Sequence, residues 1–224
     1  MSTRTWSRRT LFGTAAGAAA LLAGGCEAAR QQVQPAALPP APADGTLIMI
    51  IRHAEKPAGS HAPLGIDADG NPDPHSLTVG GWTRAGALVE LFAPGTGTTR
   101  QGLARPTVVY AAGGTGGEGQ RPRETVTPLA ARLGLPVTTT YAKGSEAALA
   151  AEVARRRGAT LISWQHEEIP TLATALGPIT PTPPPKWPDD RFDLVWVLTP
   201  AGSGWTFTQT PQLLLAGDRA DPIS

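Results

Sequence analysis

The run Leu47-Ile48-Met49-Ile50-Ile51 is apolar at every position and is followed at once by Arg52-His53. Unbroken apolarity, with no polar alternation, is the pattern of a strand covered on both faces, as in a parallel sheet with helices above and below. The chain beyond it repeats this logic. Ala85, Leu88, Val89 and Phe92 fall at helical spacing, and Thr107 to Ala111 reads as a second strand. Val126, Leu129, Ala130 and Leu133 predict a helix closed by Gly134, which tolerates a left-handed C-cap. Val137 to Thr140 is a third strand. Ser145 is placed to cap a helix through Leu149 and Val153 that ends in Arg155, Arg156 and Arg157, where cations suit the helix dipole, and stops at Gly158. Thr160 to Trp164 is a fourth strand, and Ile169, Leu172, Ala173 and Leu176 again share one helix face. The proline-rich stretch Pro178 to Pro188 excludes helix and central strand and suits a lid rim or a stiff connector. Phe192 to Leu198 and Trp205 to Thr208, parted by Ala201-Gly202-Ser203-Gly204, predict a closing hairpin. The expected fold is α/β: a three-layer α/β/α domain with a largely parallel sheet and a C-terminal hairpin.

Composition narrows the function classes. Nineteen basic against 18 acidic residues in 224 give a formal charge of +1, which excludes a nucleic-acid binder held by bulk charge. A single cysteine excludes a disulfide framework and any multi-cysteine metal site. Residues 1 to 26 carry Arg4, Arg8 and Arg9 and no acid, then an apolar run from Leu11 to Leu22, the tripartite plan of a signal peptide. Ser7-Arg8-Arg9-Thr10-Leu11-Phe12 resembles the twin-arginine export motif of bacteria. Leu22-Ala23-Gly24-Gly25-Cys26 resembles a lipobox, which implies a lipidated Cys26 and membrane attachment outside the cytoplasm, without a retained transmembrane helix. Loss of this leader leaves 16 basic and 18 acidic side chains. Residues 27 to 45, rich in Ala, Pro and Gln, read as a flexible linker, and 46 to 224 as the folded domain.

In open parallel sheets the ligand crevice lies beyond the carboxyl ends of the strands, so polar residues that follow buried strands carry the most weight. Arg52-His53 follows the first strand, Arg121 lies in the segment after the second, and His166-Glu167 follows the fourth. Two imidazoles and a guanidinium suit phosphoryl transfer from a monoester, where catalysis is mostly positioning and fixed positive charge. Arginine matches phosphate oxygens in a planar fork, and nearby cations keep an imidazole neutral and nucleophilic. No Walker-type Gly-x4-Gly-Lys-Ser/Thr is present.

Arg52-His53-Ala54-Glu55-Lys56-Pro57 resembles the Arg-His-Gly signature of the histidine phosphatase superfamily, which includes phosphoglycerate mutases, histidine acid phosphatases and phytases. Leu77-Thr78, Gly81, Arg84 and Ala85 resemble its Leu-Thr-x-x-Gly-x-x-Arg-Ala helix start. Arg121-Pro122-Arg123-Glu124-Thr125 is similar to the segment that bears the second phosphate arginine, and His166-Glu167 to the second histidine with its adjacent acid. The likeness covers about residues 46 to 200. It implies that His53 attacks phosphorus, that Arg52, Arg121 and His166 hold the phosphoryl oxygens, and that Glu167 gives the proton to the leaving alcohol, with Glu118 as the rival donor. Two departures stand out. Ala54 replaces the motif glycine, and Lys56 replaces the extra arginine of the acid-phosphatase branch, so that phosphate meets a point charge there. The chemistry requires no metal or cofactor. The expected partner is a small-molecule or otherwise phosphorylated substrate. A degenerate module that binds phosphorylated ligands without turnover, and a phosphomutase, are the alternatives.

Other features take plainer readings. Asp67 to Asp73 mimics the start of a calcium loop but has Pro72 where the turn glycine belongs and Thr78 where the closing Glu would fall, so it reads as a solvated loop. His61 and His75 flank it as exposed loop residues, and Trp164, Trp187 and Trp196 read as packing residues.

Overall fold

The computed structural model describes residues 43–59 and 63–224. The export motif, Cys26 and most of the linker, together with His61, lie outside the described residues.

The elements follow the predicted order, with one short strand, Ile179–Thr180, added inside the proline-rich stretch: β1 (Thr46–Arg52), α1 (Val79–Phe92), β2 (Val108–Ala111), α2 (Gln120–Leu133), β3 (Val137–Thr138), α3 (Glu146–Val153), β4 (Gly158–Trp164), α4 (Ile169–Ala175), β5 (Ile179–Thr180), β6 (Leu194–Ala201) and β7 (Gly204–Pro211). They build one sheet of order β3-β2-β4-β1-β6-β7-β5. The first four strands of that order run parallel, and β6 joins β1 and β7 antiparallel as the predicted hairpin.

Alternation along β1 explains why every residue of its run is apolar. Ile48 and Ile50 pack with α3 and α4 residues such as Leu149, Val153, Ile169 and Leu172, together with Trp164 and Trp196. Met49 and Ile51 point the other way, into a cluster with Leu88, Leu91 and Phe92 of α1 and Val126 and Leu129 of α2. All four β1 side chains are fully buried, and each contributes about 1.5–3 kcal/mol of transfer free energy. The result is a three-layer α/β/α fold.

This arrangement fixes a crevice. β1 and β4 are parallel neighbours, yet the chain leaves β1 toward α1 on one face and leaves β4 toward α4 on the other. Divergence of two adjacent connections opens a gap at the carboxyl ends of those strands, the usual ligand position in such sheets.

Several local expectations need correction. Ser145 occupies the N-cap of α3 but its side chain makes no cap hydrogen bond; the amide of Gly144 is instead held by the Glu146 carboxylate. The helix stops at Val153, before the three arginines, and Gly158, with φ of 87°, opens β4 instead of ending α3. Packing of β4 against β1 from Gly158 onward claims this stretch for the sheet. The third strand is shorter than predicted, only Val137–Thr138. Gly134 does close α2 in the left-handed region, with φ of 67°. The loop that mimics calcium ligation turns its oxygens inward: the Asp67 carboxylate accepts from the amides of Asp69 and Asn71 and from the Asn71 side chain.

Candidate functional site

His53 and His166 meet at the crevice. Arg52, the last residue of β1, pairs with Trp164, the last of β4, and the His53 amide donates to the Trp164 carbonyl at 3.0 Å. The two imidazoles, 113 positions apart in the chain, come to 6.4 Å between ring centroids at an interplanar angle of 86°. Both are buried, at 4% and 3% exposure.

The two rings are held differently. His53 Nδ1 donates to the Ala54 carbonyl at 2.8 Å. A carbonyl only accepts, so the proton resides on Nδ1 and Nε2 keeps its lone pair. Burial, then the Arg52 charge, and further Arg121 and Lys56, hold its pKa well below 6.5. The ring is therefore neutral at physiological pH. His166 Nε2 donates to Asp189 Oδ1 at 2.5 Å. Glu167 Oε2 lies 3.1 Å from Nδ1, but this contact lacks hydrogen-bond alignment, and Nδ1 is a buried atom without a hydrogen-bond partner. Burial, Arg52 and Lys56 lower the His166 pKa, while Asp189 and Glu167 oppose them.

Arg52 is buried beneath the segment 188–192. Its Nη1 donates to the carbonyls of Pro188, Asp189 and Arg191 at 3.0, 2.7 and 3.1 Å, and the Phe192 ring lies 3.8 Å from its guanidinium carbon. Loss of hydration brings its pKa down to about 10, so it remains a cation. Its Nε and Nη2 are buried and unpartnered. Unmet donors of a charged group cost at least about 1–3 kcal/mol each, a cost that an oxyanion alongside would offset.

The other motif residues divide into ligand candidates and struts. Arg121, in the first turn of α2, donates through Nη2 to Pro74 O at 2.6 Å and through Nε to Ser76 O at 3.3 Å. It stands near enough to His53 to depress that pKa, as does Lys56. Thr125 Oγ1 accepts the Ala54 amide at 2.8 Å and donates to Arg121 O, which ties α2 to the turn after β1. Glu124 is buried and accepts from Ser76 Oγ and the Leu77 amide. Arg123 is exposed and lines a cavity of about 220 Å³ with Gly113, Gly114, Gly119 and Thr139, apart from the histidine pair.

Arg84 belongs to the scaffold. It is buried between the carboxylates of Glu55 (2.8 Å) and Asp218 (2.7 Å), and also meets Gln212. Thr78 caps α1 by accepting from the Gly81 amide, and its own amide donates to Glu55 O. A Cβ at Gly81 would stand 2.5 Å from Glu55 O. The Leu77 to Ala85 motif thus presses α1 onto the turn that carries His53. Ala54, the departure from the glycine signature, is fully buried in a small cluster with Leu77 and Ala85, so its methyl group packs into scaffold.

Glu167 is exposed beside His166. Glu118 is also exposed, and its carbonyl accepts from Gln165 Nε2 at 3.1 Å, which binds the glycine-rich loop next to His166. His75 is exposed with its ring against Gly117. Trp164, Trp187 and Trp196 are all in the core, the last two 5.1 Å apart.

Sequence reasoning missed Asp189 and Phe192. Their signal was slight: an acidic pair, Asp189-Asp190, directly after a proline-rich stretch that suits a lid rim. Comparison of the chain with known family models and with curated proteins returns no match.

Proposed function

We propose that the chain is a phosphomonoester hydrolase of the histidine phosphatase type, acting through a phosphohistidine on His53 and carried outside the cytoplasm by its leader, with Cys26 as the lipid attachment point. The observation that carries the enzymatic reading is the meeting of His53 and His166 at the β1/β4 crevice beside Arg52. The Nδ1 proton of His53 is committed to Ala54 O, so Nε2 is the atom that attacks phosphorus. As the N–P bond forms, the ester P–O bond breaks, and the leaving alkoxide takes a proton from Glu167, with Glu118 as the rival donor. The carboxylate so formed then deprotonates a water that attacks the phosphohistidine, which releases phosphate and restores the free imidazole. Arg52, Arg121 and Lys56 supply the positive charge that stabilises the equatorial oxygens, and the neutral His166 offers a hydrogen bond through Nε2–H. Such a site asks for no metal, because the cations are side chains.

Acid-quenched trapping with labelled p-nitrophenyl phosphate tests this. Wild type is expected to hold an acid-labile phosphoryl group and to release phenolate in the presence of chelator, and His53→Ala to do neither. An adduct that persists in His53→Ala would mean another nucleophile. Phosphate binding without phenolate release would favour a binding module, and an isomerised product in place of free phosphate a mutase.

A further inference from the structure

The phosphoryl pocket carries an anion of the protein's own. Of the two nitrogens of His166, Nδ1 is closed off from solvent and has no hydrogen-bond partner. Nε2 instead donates to the Asp189 carboxylate at 2.5 Å, a side chain that stands in solvent, so that displacement of this carboxylate opens Nε2. The backbone of Asp189 is fixed, because its carbonyl accepts from Arg52 Nη1, as do those of Pro188 and Arg191 on either side. The side chain is not fixed in this way: it is 81% exposed, and its hydrogen bond is to His166 Nε2. Rotation about its own side-chain bonds would carry the carboxylate into water and leave the backbone clamp in place.

We propose that Asp189 determines affinity and charge selectivity at the phosphoryl pocket by occupying the position of one substrate oxygen, so that a ligand binds by displacing its carboxylate. This rests on the phosphatase reading for the nature of the ligand. A carboxylate brings one negative charge to His166 and Arg52, whereas a phosphomonoester brings nearly two and three terminal oxygens. The dianion gains in the exchange. A phosphodiester, with a single charge, replaces like with like and gains little. Glu167 on the other side of His166 does not substitute for Asp189, since it lies at the occluded nitrogen.

The test is equilibrium binding of inorganic phosphate to the full chain by titration calorimetry, which needs no turnover. Asp189→Asn and Asp189→Ala are expected to tighten the phosphate Kd about tenfold and to lower KM for p-nitrophenyl phosphate in parallel. Asp190→Asn removes the same charge one residue away, where the carboxylate pairs with Arg219 on the surface. It is expected to leave Kd within about twofold of wild type. Bis(p-nitrophenyl) phosphate, a monoanion, should compete better against the Asp189 variants than against wild type. Unchanged or weakened phosphate binding in both Asp189 variants overturns the proposal. Weakened binding with a collapse in kcat would make Asp189 a positioning partner of His166. A wild type that binds phosphate but releases no phenolate refutes the hydrolase reading alone, because the binding comparison still decides the role of Asp189.

Discussion

Replacement of Arg84 by leucine separates a scaffold arginine from a phosphate ligand. The guanidinium is 3% exposed and lies between Glu55 and Asp218, at 2.8 and 2.7 Å, with Gln212 on a third side. Removal of one member of a buried ion pair costs about 3–5 kcal/mol, because the charge left behind is desolvated and unpaired. Here the two survivors differ. The Glu55 side chain is 25% exposed and regains water, while that of Asp218 is 5% exposed but keeps the amides of Leu214 and Leu215 as donors. The loss should fall at the lower end, about 3 kcal/mol. For a domain of this size that is a fall in Tm of about 6–12 °C. Urea unfolding followed by the fluorescence of the five tryptophans that follow the leader measures it. Below the transition, Arg84→Leu should bind inorganic phosphate about as tightly as wild type, and Arg84→Lys should recover part of the stability. A stability change under about 1 kcal/mol with a large rise in phosphate Kd would refute the argument, since it would put the guanidinium on the ligand.

Gly81→Ala places a methyl group 2.5 Å from the Glu55 carbonyl, a backbone atom that cannot rotate away. Overpacking of this kind costs about 1–3 kcal/mol; because Glu55 lies two residues from His53, kcat should fall with stability, and a variant with unaltered kcat would show that the turn absorbs the shift. Both imidazoles have lowered pKa values in the folded chain, so below about pH 6.5 the unfolded chain binds the extra protons. The stability tied to these neutral rings is complete above that pH and is lost as the pH falls below it. Urea midpoints should therefore drop from about pH 7.5 to about pH 5.5, and the drop should shrink in the His53→Asn, His166→Asn double variant. An equal drop in that variant would assign the dependence to other groups.

The β1 run was legible because its two faces meet two different cores, leaving no polar position to confuse the pattern. The histidine pair was legible for a related reason: residues that follow buried strands share one edge of a parallel sheet, whatever their separation in the chain. The arginines after Val153 misled because the dipole argument fits a helix end, and the pairing of β4 with β1, which outweighed it, lies 112 positions away in sequence. Arg84 was visible as a motif residue, but its partners Gln212 and Asp218 sit in an irregular C-terminal segment without any periodicity. Asp189 was hidden most deeply. The clamp on Arg52 is made by backbone carbonyls, which every residue possesses, so no side-chain pattern announces it.

The outermost strands have a bearing on solution behaviour. β3 and β5, at the two ends of the order, are each two residues long. At β3 and β5 themselves a stranger's extended segment finds only a stub, too short to seed the ladder-by-ladder growth that turns exposed sheet borders into fibrils. β7 is a different case: β5 pairs with only its Trp205 and Thr206, so residues 207–211 carry border outside that ladder, and strand addition would have to begin there.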